Sequence, residues 1–263
     1  LGLEFSSDGT LYVADAFTGL LSVSDDGAIK VLTNDVGGSR LHFVDDLDIA
    51  PNGIVYFTDA TRRFDARSSP SLSLASQNDI YEQSQTGRVL PYDPSMYQSY
   101  VAAVGLIFAN GCAVSPNGAH LFRAETGKYQ ISKVSLNRSD KGQIETVLSN
   151  LPGFPDNINK GPVNSDGTQT YFAGLIGPRI ALLDNLSDKP FLRKLLSRIP
   201  VWLRPEAEKV GLVFQFTEHG EVLRTWQDPE GQYANTTGAF LAEDGNLYIT
   251  SLDAEGVGRI PYP

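Results

Sequence analysis

Three short stretches place acid and amide side chains beside apolar, strand-type residues. They are Phe43-Val44-Asp45-Asp46-Leu47, Phe108-Ala109-Asn110-Gly111-Cys112, and the run from Leu151 to Ile158 that contains Pro155-Asp156-Asn157. Taken singly, each also reads as a turn, because Gly, Pro, Asp and Asn are ordinary turn residues. Taken together they offer hard oxygen donors. Such donors suit Ca²⁺, which takes roughly six to eight oxygens in flexible geometry. A transition metal would want imidazole or thiolate ligands. His42, His120 and His219 fit no zinc spacing. The chemistry therefore depends on whether the fold brings the three stretches to one point.

A repeat shows how it could. Ser7-Asp8-Gly9 leads into Leu11-Tyr12-Val13, and Pro51-Asn52-Gly53 into Val55-Tyr56-Phe57. Pro116-Asn117-Gly118, Ser165-Asp166-Gly167 and Glu243-Asp244-Gly245 open similar runs. Asp-Gly and Asn-Gly tolerate positive φ at both centres of a tight hairpin turn. An apolar strand precedes each turn and at least one more follows, so the unit is an antiparallel sheet of up to four strands. Gly9 and Gly53 lie 44 residues apart, and Gly118 and Gly167 lie 49 apart; a propeller blade takes roughly 40–50. The fold class is all-β, and the whole of residues 1–263 reads as a single β-propeller domain with about five visible blades. In a propeller the starts of the innermost strands ring a central channel. Asp45, Asn110 and Asp156 each stand just before such a strand.

Two spacings are too long for one blade and need insertions. Arg62 to Gln85, rich in Ser and Gln, reads as a long surface loop. Leu182 to Lys209 reads as a helical insertion, with Asp188 as N-cap and Pro190 in the first turn. Phe191, Leu192, Leu195, Leu196 and Ile199 form its apolar face, and Lys189, Arg193, Lys194 and Arg198 its polar one. That face either packs on the propeller or serves as a lid or membrane-facing element.

The formal charge is −10, with 31 acidic and 21 basic residues. An acidic surface argues against nucleic acid and against anionic membranes as main partners, and is compatible with binding a cation. Cys112 is the single cysteine, so neither a disulfide within the chain nor a thiolate metal cluster can form. The chain begins at Leu1, inside an apolar run and without a signal peptide. We read its natural N-terminus as lying upstream. A sixth blade, the outer strand missing from the last blade, and any targeting or anchoring segment would lie there too.

The ordered elements FVDDLDI, APNGIVYFTDAT, GRVLPYDP, FANGCAVSPNG, RAET and LPGFPDNI resemble the strictosidine synthase-like family, in its adipocyte plasma membrane-associated branch. The resemblance covers essentially the whole chain. It extends to the six-bladed calcium-dependent phosphotriesterase, paraoxonase and lactonase superfamily. It implies that Asn110, Asp156 and Asn157 hold a catalytic Ca²⁺. Asp45 stands where these relatives usually have Asn, a departure that adds a negative charge and either tightens the ion or weakens its power as a Lewis acid. Asp46 matches the residue paraoxonase uses for a second, structural calcium. The glutamate of the first blade falls before Leu1, and Glu4 does not replace it. The activity implied is hydrolysis of lactones or aryl esters, with phosphotriesters a further class. Asp156 would be the catalytic residue, as nucleophile or general base. The alternative is a non-catalytic propeller that calcium only stabilises. A strictosidine-type condensation lacks its carboxylate, since Tyr233 to Ala239 contains none. The resemblance favours a secreted, periplasmic or membrane-anchored location, through an upstream anchor or the 188–199 helix.

Other residues carry simpler expectations. Phe43, Phe108 and Phe154 either line the mouth or pack the core. Cys112 points into a blade, Glu125-Thr126 caps one by hydrogen bonds, and His219 sits in a turn. His42 is close enough in sequence to Asp45 to reach the channel.

Overall fold

The structure is a computed structural model that describes residues 1–204 and 208–263. All five repeat glycines take a positive φ, from 69° at Gly118 to 89° at Gly9. The residue before each uses no such freedom. Its side chain instead accepts the N–H two residues on, as Asp8 does from Thr10 and Asn52 from Ile54. One centre of each turn, not both, is left-handed. The Asp or Asn stabilises the turn through its own side chain.

These turns organise five antiparallel sheets. Blade one is β1 (Leu3–Phe5), β2 (Leu11–Asp15), β3 (Gly19–Val23) and β4 (Ile29–Thr33). A short hairpin, β5 (Asp35–Val36) with β6 (Ser39–Arg40), leads to blade two. There β7 (Val44–Ile49), β8 (Val55–Asp59) and β9 (Gly87–Asp93) are followed by β10 (Gln98–Ser99) and β11 (Ala103–Leu106), both paired with β9. Blade three is β12 (Ala109–Val114), β13 (His120–Glu125), β14 (Gln130–Ser135) and β15 (Ile144–Leu148). Blade four is β16 (Gly153–Val163), β17 (Gln169–Pro178), β18 (Gly211–Thr217) and β19 (Val222–Asp228). Blade five stops at β20 (Thr236–Leu241), β21 (Asn246–Ser251) and β22 (Gly258–Pro261). The inner strands β1, β7, β12, β16 and β20 lie against one another in that order. Apolar side chains fill the seams: Leu20 with Phe57 and Leu90, Cys112 with Val89 and Leu121, Phe172 with Leu247.

The acid and amide motifs do not precede the inner strands, as the sequence implied; they lie within them. Each sits at a break in strand register, between Val44 and Leu47, Ala109 and Cys112, and Pro155 and Ile158. A fourth break separates Thr236 from Gly238. Such bulges re-aim side chains that a regular strand would alternate between its two faces.

The insertions also differ from expectation. The Ser- and Gln-rich stretch is not all loop: Leu72–Glu82 forms helix α1, capped by Ser71, whose hydroxyl accepts the Leu74 N–H. Its composition hid it, because few apolar residues mark the inner face. Ala75, Asp79, Ile80 and Tyr81 are buried by neighbours distant in sequence. The second insertion gives α2 (Ala181–Asn185), α3 (Pro190–Leu196) and a 3₁₀ turn at Val201–Leu203. Its expected span reaches 209 and so includes residues 205–207, outside the described residues. Pro190 does open α3, but Lys189 rather than Asp188 is the N-cap and makes no side-chain cap. The helix faces are only partly as expected: Leu196 is buried and Ile199 packs on the core, and Lys189 and Arg198 are exposed, but Phe191, Leu192 and Leu195 are exposed and Arg193 is buried. The Arg193 guanidinium donates to the carbonyls of Ile80, Tyr81 and Leu183 at 2.7–2.9 Å, closing the end of α1.

Both insertions leave the second strand of a blade at the end where the inner strand starts, since Val44 pairs with Asp59 and Gly153 with Pro178. They therefore crown the same end of the wheel as Asp45, Asn110 and Asp156. Close approach near the axis sets a sharp limit there. A Cβ on Gly111 would lie 2.3 Å from the Asp156 carbonyl oxygen and 2.5 Å from the Ile158 nitrogen. Gly111→Ala should destabilise by on the order of 3 kcal/mol, the cost of overpacking against backbone. Gly53→Ala, where a Cβ meets nothing within 4 Å, should cost about 1 kcal/mol through its positive φ alone. Urea melts of the two variants measure the difference; equal losses would remove the close-approach account.

Candidate functional site

Buried acids at the ends of the second strands hold the loops that deliver the site. Asp59 accepts N–H groups from His42 and Phe43 at 3.0 and 2.8 Å, and Arg88 pairs with its other oxygen at 2.9 Å. Glu125 stands at the same place in blade three. It accepts from the Ile107 N–H at 3.4 Å and from Gln130 at 2.7 Å, and it pairs with Lys128. The Thr126 hydroxyl donates to the Pro155 carbonyl at 2.7 Å. The expected capping role of Glu125-Thr126 is therefore seen, and it pins both the strand bearing Asn110 and the strand bearing Asp156.

Asp45, Asn110 and Asp156 converge from three blades and are buried. Their electrostatics record the convergence. Burial raises Asp45 well above the carboxylate range, and the charge of Asp156 adds to this. Burial and the charge of Asp46 push Asp156 up to about 7, and a hydrogen bond from the Asn110 side chain opposes them. The amide oxygen of Asn110, Oδ1, is buried without a hydrogen-bond partner. An unpaired buried acceptor beside two carboxylates that resist ionisation is a place short of positive charge. Among the described residues, no three His, Cys, Asp or Glu side chains gather as a metal group; the set here mixes carboxylates with amides.

The remaining expected ligands are placed differently. Asn157 is half-buried and turns toward β20, its Cβ 3.3 Å from where a Cβ on Gly238 would stand. Asp46 works between blades: its Oδ2 accepts the Cys112 N–H at 2.9 Å, and its pKa is pushed up to about 8 by burial first. Sequence reasoning missed Asp48, two residues further along the same face of β7. Asp48 Oδ2 accepts the Val114 N–H at 2.6 Å, and Asp48 Oδ1 accepts from Lys160 Nζ at 2.8 Å. That pair joins blades two and four past the strand between them. The alternation Asp46-Leu47-Asp48 was the available signal, because residues two apart share a strand face. Glu4 falls beside the Asp48–Lys160 pair, not with Asp45.

Phe43 and Phe108 meet edge to face at 5.3 Å, Phe154 packs at a tilt against Tyr129 at 4.9 Å, and all three are buried. They are packing residues. Cys112 is buried in a blade seam, as expected, and His219 sits in a turn. The His42 backbone N–H donates to Asp59, and its ring nitrogen Nδ1 is buried without a hydrogen-bond partner. The hydroxyl of Thr237 in β20 meets that of Thr250 in β21 at 2.6 Å.

This architecture is shared with known proteins. A gluconolactonase from Xanthomonas campestris superposes with a TM-score of 0.67 at 18% identity, over 100% of this chain and 71% of that one. The calcium-binding protein regucalcin from Agrobacterium tumefaciens gives 0.60 at 13% identity, over 96% of this chain and 68% of that one. The fold is that of the gluconolactonase- and regucalcin-like propellers. A family model described as strictosidine synthase matches residues 45–139. The adipocyte plasma membrane-associated protein of Salmo salar is 35% identical over 271 residues, spanning 100% of this chain and 61% of that protein. Its counterpart in Rattus norvegicus is 30% identical over 268 residues, spanning 99% of this chain and 69% of that protein. The chain belongs to the strictosidine synthase-like family, and it spans about three fifths of the Salmo salar relative's length.

The raised carboxyls fix the sign of a pH effect. In the unfolded chain an Asp ionises near pH 4. In the folded chain Asp156 and Asp46 hold their protons to about 7 and about 8. Between those limits the folded state binds more protons, so its stability falls as pH rises. In chelator, the melting temperature should climb as pH is lowered from about 8 to about 6. Asp45→Asn, which removes one of the like charges, should flatten that slope. A melting temperature that falls on acidification over this window would contradict the assignment.

Proposed function

We propose that the chain forms the site-bearing part of a calcium-dependent hydrolase of lactones or aryl esters. The observation that carries this reading is the unpartnered Asn110 Oδ1, buried beside the opposed carboxylates of Asp45 and Asp156. Oxygen donors without His or Cys favour a hard cation. Two like charges this close are tolerable in a dry site only with a counter-charge. The donor set therefore fits Ca²⁺, and the fold shared with regucalcin supports it.

Asp45, Asn110 and Asp156 would hold the ion. Asp46, one of whose oxygens already serves Cys112, would hold a second, structural ion. Bound calcium supplies Lewis-acid polarisation of an ester or lactone carbonyl. Asp156 Oδ takes the proton of the attacking water as general base. Asn110 holds its place through the Glu125 and Thr126 clamps and adds no negative charge. The extra charge of Asp45 tightens the site.

One observation favours a second reading, a propeller that calcium only stiffens. Asp45, Asn110 and Asp156 are each at most 7% exposed, which leaves little room for substrate. Two measurements separate the readings. Under both, millimolar calcium raises the melting temperature and abolishes the pH slope described above. Under the first alone, a γ-lactone or an aryl acetate turns over, chelator stops it, and Asp156→Ala lowers kcat/KM by roughly 10²–10⁴-fold. Calcium stabilisation without turnover would leave the binding reading, and no response to calcium would remove both.

A further inference from the structure

Helix α1 carries a buried acid that the hydrolase reading does not use. Asp79 stands in its last turn and is 0% exposed. Local chemistry disfavours a carboxylate there. Burial pushes its pKa up to about 6, and the charge of Glu82, three residues on, adds to this. The C-terminal end of a helix is also its negative pole. Among the described residues no cation pairs with Asp79. Arg63 and Lys194 go to Glu82, and Arg193 goes to the carbonyls of Ile80, Tyr81 and Leu183. A residue placed against every local preference points to a constraint set elsewhere in the fold.

What Asp79 faces is the turn that leads to Asn110. The Ser84 hydroxyl donates to Asp79 Oδ1, and the Ser84 and Thr86 hydroxyls meet at 3.0 Å. After Ser84, the Thr61 hydroxyl and the Phe108 backbone N–H face the same carboxylate and favour its charge. Neither closes a hydrogen bond to Oδ2, which is left without a partner. Phe108 is the residue before β12 and takes a left-handed conformation, with φ 53°. For a bulky side chain that state is strained, and it persists only where the surroundings over-determine it. Three neighbours do so here. The Phe43 ring packs edge to face on the Phe108 ring, the Thr126 N–H donates to the Phe108 carbonyl at 3.3 Å, and Asp79 faces the Phe108 N–H. Asn110 follows two residues later, inside the register break of β12. A change of backbone conformation at Phe108 would re-aim its side chain.

We propose that Asp79 is a positioning residue for the ion site: from the crown it holds Phe108 in its left-handed turn, and so aims the Asn110 amide at Asp45 and Asp156. The inference rests on the calcium reading of those three residues and adds to it a second layer of support from α1. It gives the crown a part in the site that needs no contact with substrate.

The test compares the parent with D79N, which keeps the shape and removes the charge, and with E82Q, which removes a neighbouring charge spent on Arg63 and Lys194. D79N should weaken calcium binding roughly 10–100-fold in isothermal titration, and E82Q should leave it unchanged. In chelator, residues 107–111 of D79N should lose protection from hydrogen exchange, while α1 stays as protected as in the parent. Should D79N fold poorly, S84A, which frees the carboxylate from its hydroxyl partner, should move both readouts in the same direction. Unchanged affinity in D79N, an equal loss in E82Q, or exchange that quickens in α1 rather than at 107–111 would each overturn the proposal. The last would leave Asp79 as an anchor of the helix alone. A parent that binds no calcium would remove the ion reading instead, and the exchange pattern in chelator would then decide by itself whether Asp79 holds the strand that bears Asn110.

Discussion

The inner strand of every blade is an edge strand, and the wheel depends on what that edge meets. Its own sheet satisfies one side of its backbone. The N–H groups on the other side point at the next blade and cannot be left unpaired in a buried seam. Between blades two and three the partners are carboxylates. Asp46 accepts from Cys112 and Asp48 from Val114, two successive rungs reached from β7. Side chains two residues apart on one strand thus stand in for a strand-to-strand ladder. The blades are joined without merging into one sheet.

That solution gathers buried negative charge about the axis, which is costly unless paired. Lys160 answers Asp48 from two blades away, and Arg88 answers Asp59 behind the loop that leads to Asp45. At the site end the described side chains offer no such cation to Asp45 and Asp156. Both carboxyls are pushed toward their neutral forms, and the Asn110 oxygen stays without a donor. Structure and chemistry meet at this deficit. The interactions that hold blades together at one level leave, one bulge away, a cluster of oxygens suited to a hard cation.

The crown follows the same logic with opposite charge. Arg193 caps the carbonyls that α1 cannot satisfy by itself. With that cation committed inward beside Leu196, Phe191, Leu192 and Leu195 fall on the other face of α3 and are exposed. Helix periodicity alone predicts the reverse, because it assigns apolar residues to the buried face. Two carbonyls at the end of α1 and one from α2 outweigh that tendency. The end of the wheel that carries Asp45, Asn110 and Asp156 is thereby crowned by exposed apolar side chains.

The propeller could be read from the sequence because its determinants are local. An Asp-Gly or Asn-Gly turn entering an aromatic and β-branched strand specifies a hairpin within about ten residues, and its recurrence counts the blades. The oxygen-bearing positions Asp45, Asn110 and Asp156 were legible for the same reason: they keep a fixed place in the repeat. Where they point was not, since the bulges that aim them arise from register between strands. Nor could the sequence show that Asp48 pairs with Lys160, or that Arg193 is buried, because those partners lie more than a hundred residues apart. Local chemistry settled which elements form and in what order. Only packing in three dimensions decided which charges were brought together, which were neutralised, and which apolar face was left to solvent.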